Sequence, residues 1–175
     1  MARGDSPRAL NDAGVTLLTK IHLCSGLLLR DGHVLLVRCV YPEQPQPLWV
    51  LPGGRQETGE MVEEAVIREF LEETSLRVRA TRLAYVSESI DPPIGYHVVN
   101  CTFFVEEIGG PAQPRSSDPA VVEARFVPAG VAAELLEADV LAIPVGAALR
   151  GDLGRGYFSF RPEDVRVPFF NRHRA

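Results

Sequence analysis

Three residues, Pro52-Gly53-Gly54, close a short extended run at Trp49 to Leu51 and stand just ahead of a helical run from about Met61 to Thr74. This joint constrains the fold of the chain more than any other feature in it. Proline fixes φ and removes a backbone donor, while paired glycines let bare backbone approach a neighbour that any side chain would push away. A strand must therefore hand over to a helix here through a turn with exposed peptide groups.

The helix that follows is locally unfavourable. Glu69, Glu72 and Glu73 are spaced i, i+3 and i+4, so at about 100° per residue their carboxylates share one side of the helix. Like charges at that spacing repel, and acids in the last turns oppose the macrodipole, each effect costing on the order of 0.2–1 kcal/mol. A bound divalent cation would turn that repulsion into ligation; a solvated acidic face is the other reading. Two neighbours favour the first. Gly53-Gly54 offers an exposed carbonyl, and Arg68 carries a planar fork that could orient a carboxylate, although a plain surface ion pair would use the same residues. A donor set of oxygen atoms without His or Cys selects a hard cation, Mg²⁺ with Mn²⁺ as a substitute, and points to phosphate chemistry.

Around the joint, the pattern predicts mostly strands. Thr16 to Leu29 and His33 to Val40 read as a hairpin turned at Asp31-Gly32. Pro42, Pro45 and Pro47 make an irregular loop. Leu76 to Ile90 and Tyr96 to Ile108 are two more strands, divided by Asp91-Pro92-Pro93 and closed by Gly109-Gly110-Pro111. A short strand at Val122 to Val127 precedes one helix over Val131 to Leu149, interrupted near Pro144. Residues 1–14 read as a loose N-terminal arm and residues 15–175 as a single domain. The aromatic residues Tyr157, Phe158, Phe160, Phe169 and Phe170 dock either on the body or on a partner subunit, and a homodimer is the preferred state.

Composition excludes several classes. With 46% hydrophobic and 23% charged residues the chain can bury a core. A net charge of −5 without a basic cluster argues against duplex nucleic acid, leaving Arg166, Arg172 and Arg174 as a solvated tail. Cys24, Cys39 and Cys101 are odd in number and widely spaced, which suggests neither a disulfide framework nor a zinc site. No apolar run reaches the roughly 18 residues of a membrane span, and no signal segment opens the chain, so a cytoplasmic location without a membrane partner is expected.

The run from Gly54 to Leu76 resembles the Nudix box, G-x5-E-x7-R-E-U-x-E-E-x-G-U with U apolar. Gly54, Glu60, Arg68, Glu69, Glu72 and Glu73 match in type and spacing, Phe70 and Leu76 fill apolar places, and Ser75 stands where the pattern has glycine. A serine holding the left-handed conformation of a helix cap costs roughly 1 kcal/mol. The resemblance to Nudix hydrolases implies an α/β/α sandwich around a mixed, partly closed sheet. It implies a pyrophosphohydrolase that uses Mg²⁺ to cleave a diphosphate linkage in a small nucleotide-like substrate. By position, Glu69, Glu72, Glu73 and the Gly54 carbonyl would be metal ligands. Glu69 would alternatively be the general base, Arg68 would orient it, and Glu60 would fix the preceding loop by pairing with Arg68.

Some family members take the base from outside the box, for which Glu88, Glu106, Glu107 and Asp118 are candidates here. Trp49, Tyr41 and Tyr96 could stack on a base, and Arg55 and Arg38 could contact phosphate, though each also fits an ordinary core or surface role. In the family a proline near the position of Asp91-Pro92-Pro93 goes with ADP-ribose-type substrates, so the resemblance favours ADP-ribose or nucleotide sugars; dinucleoside polyphosphates, nucleoside triphosphates and oxidised nucleotides stay open. A non-catalytic nucleotide-binding regulatory domain on the same fold is the alternative function, and an isoprenoid diphosphate isomerase a more distant one.

Overall fold

The computed structural model describes residues 18–41, 46–91, 95–152, 154, 156–161 and 163. The expected N-terminal arm, Pro42, Pro45, Pro92, Pro93, Arg166, Phe169, Phe170, Arg172 and Arg174 lie outside the described residues. The elements are β1 (Thr19–Arg30), β2 (His33–Cys39), β3 (Leu48–Val50), β4 (Gly53–Arg55), α1 (Val62–Thr74), β5 (Arg77–Asp91), β6 (Tyr96–Gly109), β7 (Val121–Pro128), α2 (Ala129–Leu135), α3 (Asp139–Arg150) and β8 (Tyr157–Phe160). Asp31 at φ 49° and Gly32 at φ 73° make the left-handed pair that a two-residue hairpin turn requires, joining β1 to β2 as expected.

The eight strands form one mixed sheet that does not close on itself. Its path runs β3-β2-β1-β6-β5-β8, with β4 added to β1 and β7 to β2. The β1–β6 and β5–β8 pairs are parallel, and the remaining pairs are antiparallel. Along one edge β1 holds β6 from Thr19 to Leu28. Along its other edge it holds β4 at Leu23–Ser25 and β2 only at Leu29–Arg30. The sheet therefore divides beside Gly26, whose N–H donates to the Pro52 carbonyl (2.9 Å) at the glycine joint.

Helices cover both faces. Leu27, Val34, Leu36 and Tyr85 pack with Ala132 of α2 and Val145 and Ala148 of α3. On the opposite face Cys24, Leu28, Leu35, Val78 and Val105 pack under Ala65, Val66 and Phe70 of α1. Alternation along β1 and β2 distributes these residues between the two layers. In α1 the buried stripe is Ala65, Val66, Phe70, Glu73 and Thr74, the i, i+4, i+7 spacing of an amphipathic helix with a carboxylate at one core-facing position.

Two sequence expectations need correction, and one open alternative is resolved. Gly53–Arg55 does not simply break a strand but forms one, since pairing with β1 outweighs the poor strand propensity of glycine. The late helix divides at Leu136–Ala138, where both end residues turn extended and bury at 2% exposure; Pro144 lies inside α3, which continues past it although proline removes one backbone donor there. The segment at Tyr157–Phe160, ambiguous in sequence, pairs with β5 of its own chain, and Phe158 meets the Tyr85 ring edge-on at 5.8 Å. Glu88 secures this strand by pairing with Tyr157 and with His97.

Candidate active site

The two glycines of the joint are required for different reasons. Gly53, at φ 154°, lies so close to β1 that a Cβ there would sit 2.7 Å from the Ser25 Cα. A Cβ on Gly54 would sit 2.6 Å from the Glu69 carboxyl carbon. Bare backbone is thus pressed directly against two carboxylates of α1, because the Gly53 N–H also donates to Glu73 Oε2 at 2.8 Å.

Glu73 is 5% exposed. Burial pushes its carboxyl up to about 8; the Gly53 N–H pulls it back, and the charges of Glu69, Asp118 and Glu72 push it further up. Burial also raises Glu69, against the hydrogen bond and charge of Arg68. The space beside the glycine joint therefore gathers partly desolvated carboxylates, whose ionised forms a cation would favour.

Arg68 organises its rim. Its Nε and Nη2 donate to the two oxygens of Glu60 at 2.8 and 3.0 Å, Nη1 donates to Glu69 at 2.8 Å, and Nη2 also reaches the Arg55 carbonyl at 3.1 Å. The hydrogen bonds from Arg68 hold the Glu60 carboxyl below the usual carboxylate range. Glu72 stands apart: its side chain is 49% exposed and lies 3.5 Å from Arg68 Nη1. Among the described residues, no three His, Cys, Asp or Glu side chains are drawn together tightly enough to hold a metal ion. Arg68 holds Glu69 and Glu72 toward itself, and a cation entering beside Glu73 has to compete with that guanidinium.

Arg68→Lys removes the fork but keeps the charge. Activity should fall about 10- to 100-fold, the usual cost of losing a group that orients a ligand, with an unchanged circular dichroism spectrum. Wild-type turnover in this variant would show that the fork does not position Glu69.

The four carboxylates outside the box separate clearly. Glu106 pairs with Arg79, Glu107 with Arg30, and Glu88 with His97 and Tyr157. Asp118 instead lies within electrostatic reach of α1, where its charge raises both Glu69 and Glu73. Loop 115–118 brings it there by capping the helix: Arg115 N–H donates to the Thr74 carbonyl and Ser117 N–H to the Glu72 carbonyl, each at 2.8 Å. That capping between distant segments left no local signal in the sequence.

Of the proposed substrate residues, Arg55 adjoins the site through its carbonyl contact with Arg68. Tyr41 bonds to the buried Cys39 thiol, and both groups feel the Glu73 charge. Trp49 lies on β3 with the guanidinium groups of Arg125 and Arg38 over its ring, at 4.6 and 6.0 Å. Tyr96 starts β6 opposite Thr19, whereas Gly54 lies opposite Cys24 of the same strand, so Tyr96 is five residues, roughly 17 Å, along the sheet from the joint. The three cysteines are free, Cys24 and Cys39 buried and Cys101 half-buried. Among the described residues no helix is long and apolar enough to cross a membrane.

Residues 20–144 match the NUDIX domain family. The chain belongs to this family. An ADP-ribose pyrophosphatase of Methanocaldococcus jannaschii is 38% identical to this NUDIX protein over 88 residues, 49% of the chain and 50% of the relative. A Bacillus subtilis protein, provisionally assigned as an 8-oxo-dGTP diphosphatase, is 68% identical over 48 residues, 27% of the chain and 30% of the relative. The NUDIX chain thus spans half or less of the length of these two relatives. A NUDIX hydrolase structure from Nitrosomonas europaea superposes with a TM-score of 0.67 at 19% identity, covering 77% of this chain and 91% of that one, a likeness of fold.

Proposed function

We propose that this NUDIX protein hydrolyses the diphosphate linkage of a nucleoside diphosphate joined to a second group, using Mg²⁺ or, in its place, Mn²⁺. The observation that carries this reading is Glu73, a carboxylate in the core-facing stripe of α1, buried against the bare Gly53-Gly54 backbone with like charges around it. The donor set is all oxygen, with Arg68 as the neighbouring positive charge, and oxygen donors fit a hard divalent cation. Gly54 through its carbonyl, with Glu72, Glu73 and, where it does not serve as the base, Glu69, would hold that cation. When bound, it supplies neutralisation of phosphoryl oxygens and acidification of water.

The chain's own residues do the rest by position and electrostatics. Arg68, anchored on Glu60, orients Glu69. Glu69 takes the proton from the attacking water, and Asp118 is the extra carboxylate that completes the acidic wall. Arg55, next to the joint, contacts a substrate phosphate. Among substrates, ADP-ribose and nucleotide sugars come first, supported by the M. jannaschii relative; triphosphates and oxidised nucleotides follow, supported by the B. subtilis one. The free cysteines accord with a reducing, cytoplasmic setting.

The test is a product-resolved screen of ADP-ribose, nucleotide sugars, dinucleoside polyphosphates, dGTP and 8-oxo-dGTP with Mg²⁺ and with EDTA. Release of a nucleoside monophosphate that stops on chelation is the expected result. Tight nucleotide binding with no metal-dependent turnover of any of them would overturn hydrolysis in favour of a regulatory domain.

A further inference from the structure

Ser75 departs from the box and yet holds the conformation for which the box uses glycine, with φ 57° and ψ 10° at the C-cap of α1. Its side chain compensates in a way glycine could not: the hydroxyl donates to the Arg115 carbonyl at 2.8 Å, forty positions away in the chain. Around that bond, the loop between β6 and β7 is tied down at both ends. Gly110 packs so closely that a Cβ there would sit 2.9 Å from the Ser75 carbonyl oxygen and from the Leu76 Cα. Ser117 Oγ donates to the Glu72 carbonyl at 2.9 Å, beside the backbone bonds to Thr74 and Glu72. Ser116 Oγ accepts the Asp118 N–H at 3.0 Å, and Asp118 Oδ1 accepts the Ala120 N–H at 2.8 Å, so that both the backbone and the carboxylate of Asp118 are held.

We propose that the Ser75 hydroxyl is a positioning group for Asp118, latching loop 115–118 onto the end of α1 so that this carboxylate faces Glu69 and Glu73. The inference rests on the proposed role of Asp118 at the metal site. It reverses the ordinary expectation for a serine at a left-handed cap. Glycine adopts that backbone more easily, so Ser75→Gly should fold at least as well while releasing the loop. Backbone bonds still cap the helix in the variant, so what is lost is the lateral tie to Arg115 and, through it, the placement of Asp118.

Four proteins test this: wild type, S75G, D118N and the S75G/D118N double variant. In EDTA-treated protein, amide exchange at Arg115 and Ser117 should be about fivefold faster in S75G, the size expected for one lost hydrogen bond, with no fall in melting temperature. Mn²⁺ affinity, read by water proton relaxation, should drop by about fivefold in S75G and by more in D118N, and S75G should add nothing in the D118N background. If the wild type binds Mn²⁺ but S75G leaves exchange and affinity unchanged, or weakens affinity equally in both backgrounds, the latch is overturned alone. A wild type that binds no Mn²⁺ overturns the metal-site reading together with the latch.

Discussion

Glu73→Gln should cut turnover on the order of 10²- to 10³-fold, a loss typical of removing one preorganised charge-stabilising group, and yet make the metal-free protein more stable at pH 8. Both effects have one cause. In the folded chain burial holds the Glu73 carboxyl up near 8, whereas in the unfolded chain it titrates near its ordinary 4.5. Below pH 4.5 the group is protonated in both states and costs nothing. As pH rises toward 8 the unfolded chain gives up its proton while the folded chain retains it, so stability is lost across that window. Glutamine cannot ionise and still offers an oxygen to the Gly53 N–H. Urea midpoints in EDTA should therefore fall from pH 5 to pH 8 in the wild type and fall less in the variant. Parallel pH dependence in the two proteins, or undiminished hydrolysis by the variant, would contradict the assignment.

Phe70→Ala should have the largest effect on stability, about 3–5 kcal/mol, as for other fully buried aromatic truncations, and should lower the melting point on the order of 10 °C. The ring is 0% exposed and packs over Gly26 of β1: a Cβ at that glycine would lie 3.0 Å from Phe70 Cδ2 and 3.1 Å from Val105 Cγ1. Close packing leaves no neighbour free to fill the void. Because Phe70 adjoins Glu69 and lies on the same buried stripe as Glu73, loosening it shifts the carboxylates against the glycine joint, and hydrolysis should fall with stability. A loss below about 1 kcal/mol in urea unfolding would show that α1 is held by other contacts.

Local chemistry made much of this legible in advance. Asp31-Gly32 marked its hairpin because the turn needs two left-handed residues, whereas the box carboxylates, although they oppose their own helix, fitted a solvated acidic face equally well until Gly54 and Arg68 were weighed with them. What stayed hidden depends on neighbours distant in sequence. Gly53–Arg55 becomes a strand only because β1 is beside it, and Tyr157–Phe160 only because β5 is. Glu73 and Glu72 are adjacent and chemically identical, yet the first is buried and the second half-exposed, a difference set by how α1 rolls on the sheet. Asp118 could not be told from Glu88, Glu106 and Glu107 until the partners of each were known. Trp49 fitted either a stacking surface or an ordinary core or rim residue in sequence; the Arg125 and Arg38 guanidinium groups over its ring are partners that only the fold reveals.

The parallel pairing of β1 with β6 bears on how the protein is made. β1 leaves the ribosome well before the strand that completes its edge, which begins only at Tyr96 and pairs through to Val105. During synthesis the nascent chain carries the glycine joint and α1 without the platform that seats them, and an acidic helix that repels itself is poorly suited to wait alone. Closing so long a loop is slow and entropically costly, so competence for chemistry arrives late and together with the sheet rather than piecemeal.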